Sequence, residues 1–207
     1  MPSKNTVKKF VPGGIYHVYN RGVEKRSIFC DNRDHQVFLH LLKTALTDEK
    51  ELDYTDNISV RNKSETLDLL AYCLMSNHFH FLIQQLDETS MTEFMRSISN
   101  AYVAYFNKKY KRVGSLFQGT YKAVLVDKDE YLIHLSRYIH INPREIDQKL
   151  ENYLYSSYKG YLDSENRPTW LKPTPVLEQF KNPKEYKKFV EDYKIDSLKL
   201  LRGLTLE

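Results

Sequence analysis

The stretch that decides the fold is Tyr72-Cys73-Leu74-Met75-Ser76-Asn77-His78-Phe79-His80-Phe81-Leu82-Ile83. Its two apolar, aromatic runs predict two strands joined by a two-residue turn, which is an antiparallel hairpin. Because successive side chains of a strand point to opposite faces, His78 and His80 share one face, and Phe79 and Phe81 share the other. The apolar face is expected to pack on a core and the imidazole face to be an outer face. The paired imidazoles are either metal ligands or ordinary solvent-facing or structural residues.

Composition predicts a soluble chain with one good core and a modest extension. The chain has 207 residues, of which 41% are hydrophobic and 28% are charged. Its longest apolar runs are far shorter than the roughly 20 residues of a membrane-spanning helix, and residues 1–9 lack an apolar signal core. Cys30 and Cys73 form no metal or redox motif, so a cytoplasmic location is expected. The net charge of +4 is compatible with nucleic acid as a partner.

Periodicity and turn residues predict a strand–helix–strand–strand–helix–strand order followed by one more helix. The predicted bounds are a strand at 15–20, a helix at about 33–47, strands at 66–75 and from 78, a helix at about 91–110, a strand at 121–126, and a helix that ends near Asn142 before Pro143. The fold class is therefore α+β, a ferredoxin-like split βαβ arrangement with a central antiparallel sheet. In that arrangement the first and third strands lie side by side at the centre, and the His78 strand is the third. Ser90 or Thr92 is expected to cap the second helix, and Asp127 the third.

The third predicted helix carries the polar partners for the histidines. Tyr131, His134, Tyr138 and Asn142 form a stripe beside its apolar stripe, and Tyr138 and Asn142 are one turn apart, close enough to act on a common centre. His140 lies on a different face of this helix and is not favoured for a direct role.

Other polar side chains have bland interpretations as well. On the first strand, His17 is expected to be structural rather than catalytic. His35 and His40 lie off the stripe of the first helix and are expected to be solvated.

A basic run follows the second predicted helix. It comprises Lys108, Lys109, Lys111 and Arg112, with one aromatic residue, Tyr110, among them. This composition is typical of a phosphate-contacting patch. A solvated helix end whose cations complement the helix dipole explains it nearly as well.

Three segments together resemble a known family. They are Met75-Ser76-Asn77-His78-Phe79-His80-Phe81-Leu82-Ile83, Leu116-Phe117-Gln118-Gly119-Thr120-Tyr121 and Ser136-Arg137-Tyr138-Ile139-His140-Ile141-Asn142-Pro143. In this order they resemble the IS200-like single-tyrosine transposases, and more closely their REP-associated branch, within the HUH nucleases. The resemblance covers residues 12 to 162. One departure is Ser76, where the family often has proline, and it bears only on the geometry of the turn.

The resemblance implies a role for each matching residue. His78 and His80 would be metal ligands, Asn142 would supply a third ligand, and Tyr138, on the added helix, would be the nucleophile. The implied cofactor is a divalent ion, Mg²⁺ or Mn²⁺, which polarises the scissile phosphate of single-stranded DNA. Attack by the tyrosine would give a 5′-phosphotyrosine link and a free 3′-hydroxyl. Tyr121 is the rival nucleophile, although a structural or DNA-contacting role is preferred for it.

The remaining expectations concern partners and domains. Single-stranded or hairpin DNA is the expected partner, with a homodimer possible and a monomer not excluded. Its contacts are expected from the basic run together with Tyr121, Lys122 and His134. Residues 1–162 are expected to form the catalytic domain, and residues 163–207 a connector and a helical tail with a helix at about 183–194. The alternative function is a catalytically inactive protein that keeps the fold and binds hairpin DNA or RNA.

Overall fold

The computed structural model describes residues 10–51, 60–146 and 149–192. It contains one four-stranded sheet in which every neighbouring pair is antiparallel, in the order β2-β3-β1-β4. The strands are β1 (Ile15–Arg21), β2 (Leu67–Met75), β3 (His78–Gln85) and β4 (Lys122–Val126). The two central strands are therefore β3 and β1, which confirms the predicted ferredoxin-like split βαβ arrangement.

The helices occupy the predicted places in the chain. Their bounds are α1 (Asn32–Leu46), α2 (Ser90–Lys109), α3 (Asp129–Ile141), α4 (Tyr158–Leu162), α5 (Thr174–Leu177) and α6 (Pro183–Glu191). A short 3₁₀ turn at Asn142–Glu145 continues α3. The tail helix begins at Pro183 as predicted, and its predicted last residues, 193 and 194, lie outside the described residues. No helix within the described ranges is both long and apolar enough to cross a bilayer.

One face of the sheet packs against α1 and α2. Phe79 and Phe81 of β3 are on this face and are at most 1% exposed. Their rings meet Phe38 of α1 at centroid distances of 5.7 and 6.1 Å, and Phe38 in turn meets Tyr102 of α2 edge to face at 4.8 Å. The apolar face predicted for the histidine strand is thus the face that anchors the sheet to the larger core.

The opposite face of the sheet is also covered, so the expectation of an outer imidazole face was wrong. His80 and Leu82 of β3 are fully buried on this face, beneath a layer that includes α3, α4 and α6. The second layer exists because α3 and α6 present apolar stripes of their own, of which Leu135 and Val190 are members. The sheet therefore lies between two helical layers, and the histidines lie between the sheet and α3.

The tyrosine-rich segment after α3 closes the open edge of β2. The Tyr153 and Tyr161 hydroxyls donate to the carbonyl oxygens of Leu74 and Leu70, at 2.6 and 2.7 Å. The Ser157 hydroxyl accepts from the backbone N–H of Tyr72 at 2.8 Å. An exposed strand edge is prone to pair with other chains, so these bonds protect the sheet as well as dock the segment.

Two helix caps differ from the predictions. The residue before α3 is Lys128, not Asp127, and its side chain makes no capping hydrogen bond. The residue before α2 is Thr89, and the backbone N–H of Ser90 donates to the Asp87 carboxylate at 2.7 Å. Capping from three residues upstream satisfies the same N–H group that a Ser90 or Thr92 cap was expected to serve.

His35 also departs from its predicted environment. Its ring is 8% exposed, not solvated, and stacks on Tyr155 at a centroid distance of 3.7 Å and on Phe29 at 4.5 Å. Position on α1 alone placed it off the apolar stripe, but Tyr155 arrives from more than a hundred residues away and covers it.

Candidate active site

The two histidines of β3 lie side by side at the start of the strand. The His78 and His80 rings are 5.0 Å apart between centroids and nearly perpendicular. His78 is partly exposed, whereas His80 is fully buried. The Nε2 atom of His80 has no hydrogen-bond partner among the described residues. A buried polar nitrogen without a partner is costly unless it serves a ligand or ion, so it points to a functional centre.

The other ring nitrogen of each histidine has a dedicated partner. Nδ1 of His78 lies 2.6 Å from Oδ1 of Asn77, and Nδ1 of His80 lies 2.9 Å from Nε2 of His17. The His17 ring is fully buried and stacks nearly parallel to His80. Both rings are therefore oriented by contacts at Nδ1, which leaves each Nε2 directed elsewhere.

Helix α3 brings Tyr138 and Asn142 to the same place. The Tyr138 ring meets His80 edge to face at a centroid distance of 5.3 Å. One turn later, Nδ2 of Asn142 donates to the backbone carbonyl of Tyr138 at 2.8 Å, and Oδ1 of Asn142 lies 3.4 Å from Nε2 of His78. Because its amide nitrogen is bound to the helix, Asn142 turns its oxygen towards the histidines.

Burial keeps both imidazoles neutral. Desolvation lowers the pKa of His80 well below its ordinary value, and the neighbouring His17 and His78 lower this pKa further. Desolvation also lowers the pKa of His78, assisted by the charge of Arg21, while the contact with Asn142 acts in the opposite direction. A neutral imidazole is the form that binds a metal ion, so the electrostatics of the pocket suit that use.

His17 and Asn77 are the residues that sequence reasoning undervalued. His17 was expected to be structural, yet it contacts His80 and lies 6.2 Å from the Tyr138 ring between centroids. Asn77 was treated only as part of a turn. The available signal was parity: in the antiparallel register Tyr19 faces His80, so His17, two residues before Tyr19, lies on the same face.

The rival nucleophile lies on the wrong side of the sheet for this site. Tyr121 is 8% exposed and belongs to the core cluster formed with α1 and α2, on the face opposite His80. The next residue, Lys122, pairs with Tyr19 and faces the site, where its ammonium group lies 5.7 Å from the centre of the Tyr19 ring.

Two further histidines of α3 face the C-terminal segment. Nδ1 of His134 lies 2.6 Å from a guanidinium nitrogen of Arg137, and its ring packs 5.5 Å from Phe189 of α6. His140 is fully buried, with its ring nitrogens 2.7 Å from the hydroxyls of Tyr186 and Ser157. The contacts of His140 are those of a packing residue.

The basic run at the end of α2 is not uniform. Lys109 is bound by the carboxylates of Asp31 and Asp34, with both ion pairs at 2.6 Å. Lys108 and Lys111 are exposed, and a guanidinium nitrogen of Arg112 donates to the Asn107 amide oxygen at 3.2 Å. Lys109 thus has a structural contact that the interpretation as a phosphate patch did not foresee, while Lys108 and Lys111 remain accessible.

Comparisons with known proteins agree with the resemblance. A family model described as "Transposase IS200 like" matches residues 16–142. The structure of a REP-associated tyrosine transposase bound to a REP hairpin aligns with a TM-score of 0.53 at 14% identity, over 76% of this chain and 84% of that one. At this identity the likeness shows a common fold.

Two other solved structures are more remote. A protein from Deinococcus radiodurans R1, provisionally described as a transposase, aligns with a TM-score of 0.39 at 14% identity, over 67% of this chain and 95% of that one. A tRNA(His) guanylyltransferase from Saccharomyces cerevisiae gives 0.41 at 13% identity, over 96% and 80%. Neither score is high enough to carry an argument. No curated protein matches the chain.

Proposed function

The chain belongs to the family of IS200-like transposases, and from this premise we propose that it nicks and rejoins single-stranded DNA through Tyr138. As a member of this family it is a DNA-processing enzyme of the tyrosine transposase kind. The observation that carries the finer proposal is the convergence of Tyr138 and Asn142 on the two histidines of β3. These four side chains come from the third strand and the added helix of one chain, so a single subunit holds the complete set and a monomer is sufficient.

The residues present fit a divalent metal ion. The partnerless Nε2 of buried His80, Nε2 of His78 and Oδ1 of Asn142 would hold it. No cluster of three or more His, Cys, Asp or Glu side chains suited to a metal occurs within residues 10–51, 60–146 and 149–192, so the proposed site depends on the amide oxygen. Mg²⁺ or Mn²⁺ is proposed, because three protein ligands leave positions for phosphate oxygens. When bound, the ion polarises the scissile phosphate and neutralises its charge.

In the proposed reaction the phenolic oxygen of Tyr138 attacks the phosphorus atom of the scissile phosphodiester. A tyrosine–phosphorus bond forms, the bond from phosphorus to the 3′-oxygen breaks, and that oxygen leaves as a 3′-hydroxyl after taking up a proton. The 5′-phosphotyrosine keeps the energy of the phosphodiester, so attack by another 3′-hydroxyl rejoins DNA and frees the tyrosine. The edge-to-face contact with His80 holds the Tyr138 ring beside the proposed metal ligands.

Hairpin DNA is the proposed substrate. The related tyrosine transposase was solved bound to a REP hairpin, and the present chain has cations near the site that suit a phosphate backbone. Lys122 faces the site beside Tyr19, and Lys108, Lys111 and Arg112 follow α2. Cations of this kind supply affinity, whereas base contacts supply specificity.

The C-terminal segment is proposed to be an extension that supports the catalytic domain. Residues 1–162 are proposed as that domain, with the described part of 163–207 docked onto it. Tyr186 and Val190 of α6 are fully buried in the same cluster as Leu135 and Ile139 of α3. The extension therefore packs behind the helix that carries Tyr138.

The test is a covalent-adduct assay. Protein, Mn²⁺ and single-stranded hairpin oligonucleotides labelled at the 3′ end are mixed and resolved on a denaturing gel, since a 5′-phosphotyrosine retains the 3′ part of the DNA. We expect a shifted band with wild type and with Tyr121→Phe, and none with Tyr138→Phe or His80→Ala. An undiminished band with Tyr138→Phe refutes the assigned nucleophile. The absence of any adduct over a broad set of hairpins, with binding retained, favours the inactive hairpin-DNA or RNA binder.

A further inference from the structure

We infer that His17 and Asn77 are positioning residues: each accepts a hydrogen bond at Nδ1 of one proposed ligand, and so directs the Nε2 lone pairs of His80 and His78 to the same centre. This inference rests on the proposed metal site. A neutral imidazole carries one N–H and one lone pair, and the partner of one nitrogen decides which nitrogen has the proton. Metal-binding histidines are generally fixed in this way by an acceptor at the other ring nitrogen.

The assignment for Asn77 follows from the directions of its amide. Its Nδ2 donates to the backbone carbonyl of Lys25 at 3.2 Å, so Oδ1 is the atom that faces His78 at 2.6 Å. An amide oxygen only accepts, so Nδ1 of His78 must carry the proton. Nε2 of His78 then presents a lone pair to Oδ1 of Asn142 at 3.4 Å. Two acceptors that face each other with no proton between them make a place for a cation.

The assignment for His17 follows from burial. One of the two nitrogens 2.9 Å apart, Nδ1 of His80 or Nε2 of His17, carries the shared proton. If His17 carried it, the proton of His80 would lie on Nε2, a fully buried N–H with no acceptor among the described residues. A buried donor without an acceptor costs about 1–3 kcal/mol. If His80 carries the proton on Nδ1, that cost is avoided and Nε2 is left with the lone pair that a metal requires.

The turn that carries Asn77 is held in place by the loop after β1. The backbone N–H of Gly22 donates to the Asn77 carbonyl at 2.9 Å, and the N–H groups of Ile28 and Phe29 donate to the Ser76 carbonyl at 2.8 and 2.9 Å. Gly22 permits this approach, because a Cβ atom there would lie 2.2 Å from the Arg26 carbonyl oxygen. Asn77 is thus a rigidly mounted acceptor, and rigidity is what orientation of a ligand demands.

The variants are chosen to separate loss of the acceptor from loss of packing. His17→Phe and Asn77→Leu remove the acceptor and keep similar volume, whereas His17→Gln and Asn77→Asp retain an acceptor oxygen. His140→Phe is the matched control, because it removes another fully buried and hydrogen-bonded imidazole outside the site. Urea unfolding establishes that each variant is folded before binding is measured.

The readout is the affinity of DNA-free protein for Mn²⁺, measured from the electron paramagnetic resonance signal of the free ion. We expect His17→Phe and Asn77→Leu to bind Mn²⁺ about 10- to 100-fold more weakly than wild type, the usual effect of losing such a partner. His17→Gln and Asn77→Asp are expected to stay near wild type, and so is His140→Phe, despite its lower stability. Unchanged affinity in the two acceptor-free variants overturns the inference while leaving the proposed metal site intact.

A second measurement needs no variant and no metal. Long-range ¹H–¹⁵N spectra of ¹⁵N-histidine-labelled protein distinguish the two neutral tautomers, with assignments checked by His78→Ala and His80→Ala. Both residues are expected to carry the proton on Nδ1, and a dominant Nε2–H form at either one overturns the inference for that residue. If wild type and His80→Ala both fail to bind Mn²⁺ at millimolar concentration, the proposed metal site fails and the inference fails with it.

Discussion

The fully buried His140 couples the stability of the protein to pH. Burial lowers the pKa of this imidazole from 6.5 to about 3, and its two nitrogens contact the Tyr186 and Ser157 hydroxyls. The unfolded chain takes up a proton below pH 6.5, whereas the folded chain does not do so until about pH 3. The stability that neutral His140 contributes is therefore fully present above pH 6.5 and is lost as the pH falls towards 3.

The size of the effect follows from the linkage relation. From pH 6.5 to pH 5 the difference is 1.5 pH units, and at about 1.36 kcal/mol per unit the loss is about 2 kcal/mol. The perturbation is His140→Gln, which keeps a hydrogen-bonding side chain but cannot titrate. Free energies of unfolding from urea titrations of wild type and variant are compared at pH 7.5 and pH 5. Because the other histidines are common to both proteins, the comparison isolates His140.

We expect the stability advantage of wild type over His140→Gln to shrink by about 2 kcal/mol between pH 7.5 and pH 5. Tyr186→Phe serves as the control: it removes one hydroxyl partner but keeps the buried imidazole, so its dependence on pH should follow wild type. Parallel losses in wild type and His140→Gln would refute the reasoning, since they would mean that His140 takes up its proton equally in both states. His140 lies on the same helix as Tyr138, so acid should loosen the support of the proposed nucleophile.

Two other predictions concern the basic residues. Lys109→Met should lower the free energy of unfolding by about 2 kcal/mol, because it leaves the buried Asp34 carboxylate without its cation; the exposed neighbour Lys108→Met should change it by less than about 0.5 kcal/mol, and equal effects would contradict this assignment. Lys122→Ala should weaken binding of single-stranded DNA and reduce the slope of log K against log salt by about 0.7. Lys43→Ala, on exposed α1 behind the other face of the sheet, should leave that slope unchanged in fluorescence-anisotropy titrations, and a similar change in both variants would contradict a contact at Lys122.

Local sequence signals were sufficient for the elements and their order. Alternation in β3, the helical stripes and the break before Pro143 each involve residues within a few positions of one another, and the structure has these elements within one or two residues of the predicted bounds. The caps of α2 and α3 were less predictable, because several polar residues near each helix start compete for the same N–H groups. Asp87 and not Ser90 or Thr92 serves α2.

The β2 strand shows why parity alone is an incomplete guide. Its pairing with β3 shifts between Leu69 and Ala71. Leu69 and Tyr72 consequently face the same core, although one position is odd and the other even. An irregularity of one residue reverses the faces for the rest of a strand, and no composition signal in this run announces it.

The sequence by itself determined the fold class, the third-strand histidine pair, and the candidates Tyr138 and Asn142, because periodicity, turn residues and family motifs are written in short segments. Only the tertiary structure decided that both sheet faces are buried, that Tyr121 lies behind the sheet, and that His17 supports His80. These facts depend on register and layer packing between residues as far apart as His17 and His80, 63 positions along the chain. The paired histidines of β3 are a sequence feature; their orientation is a property of the packed molecule.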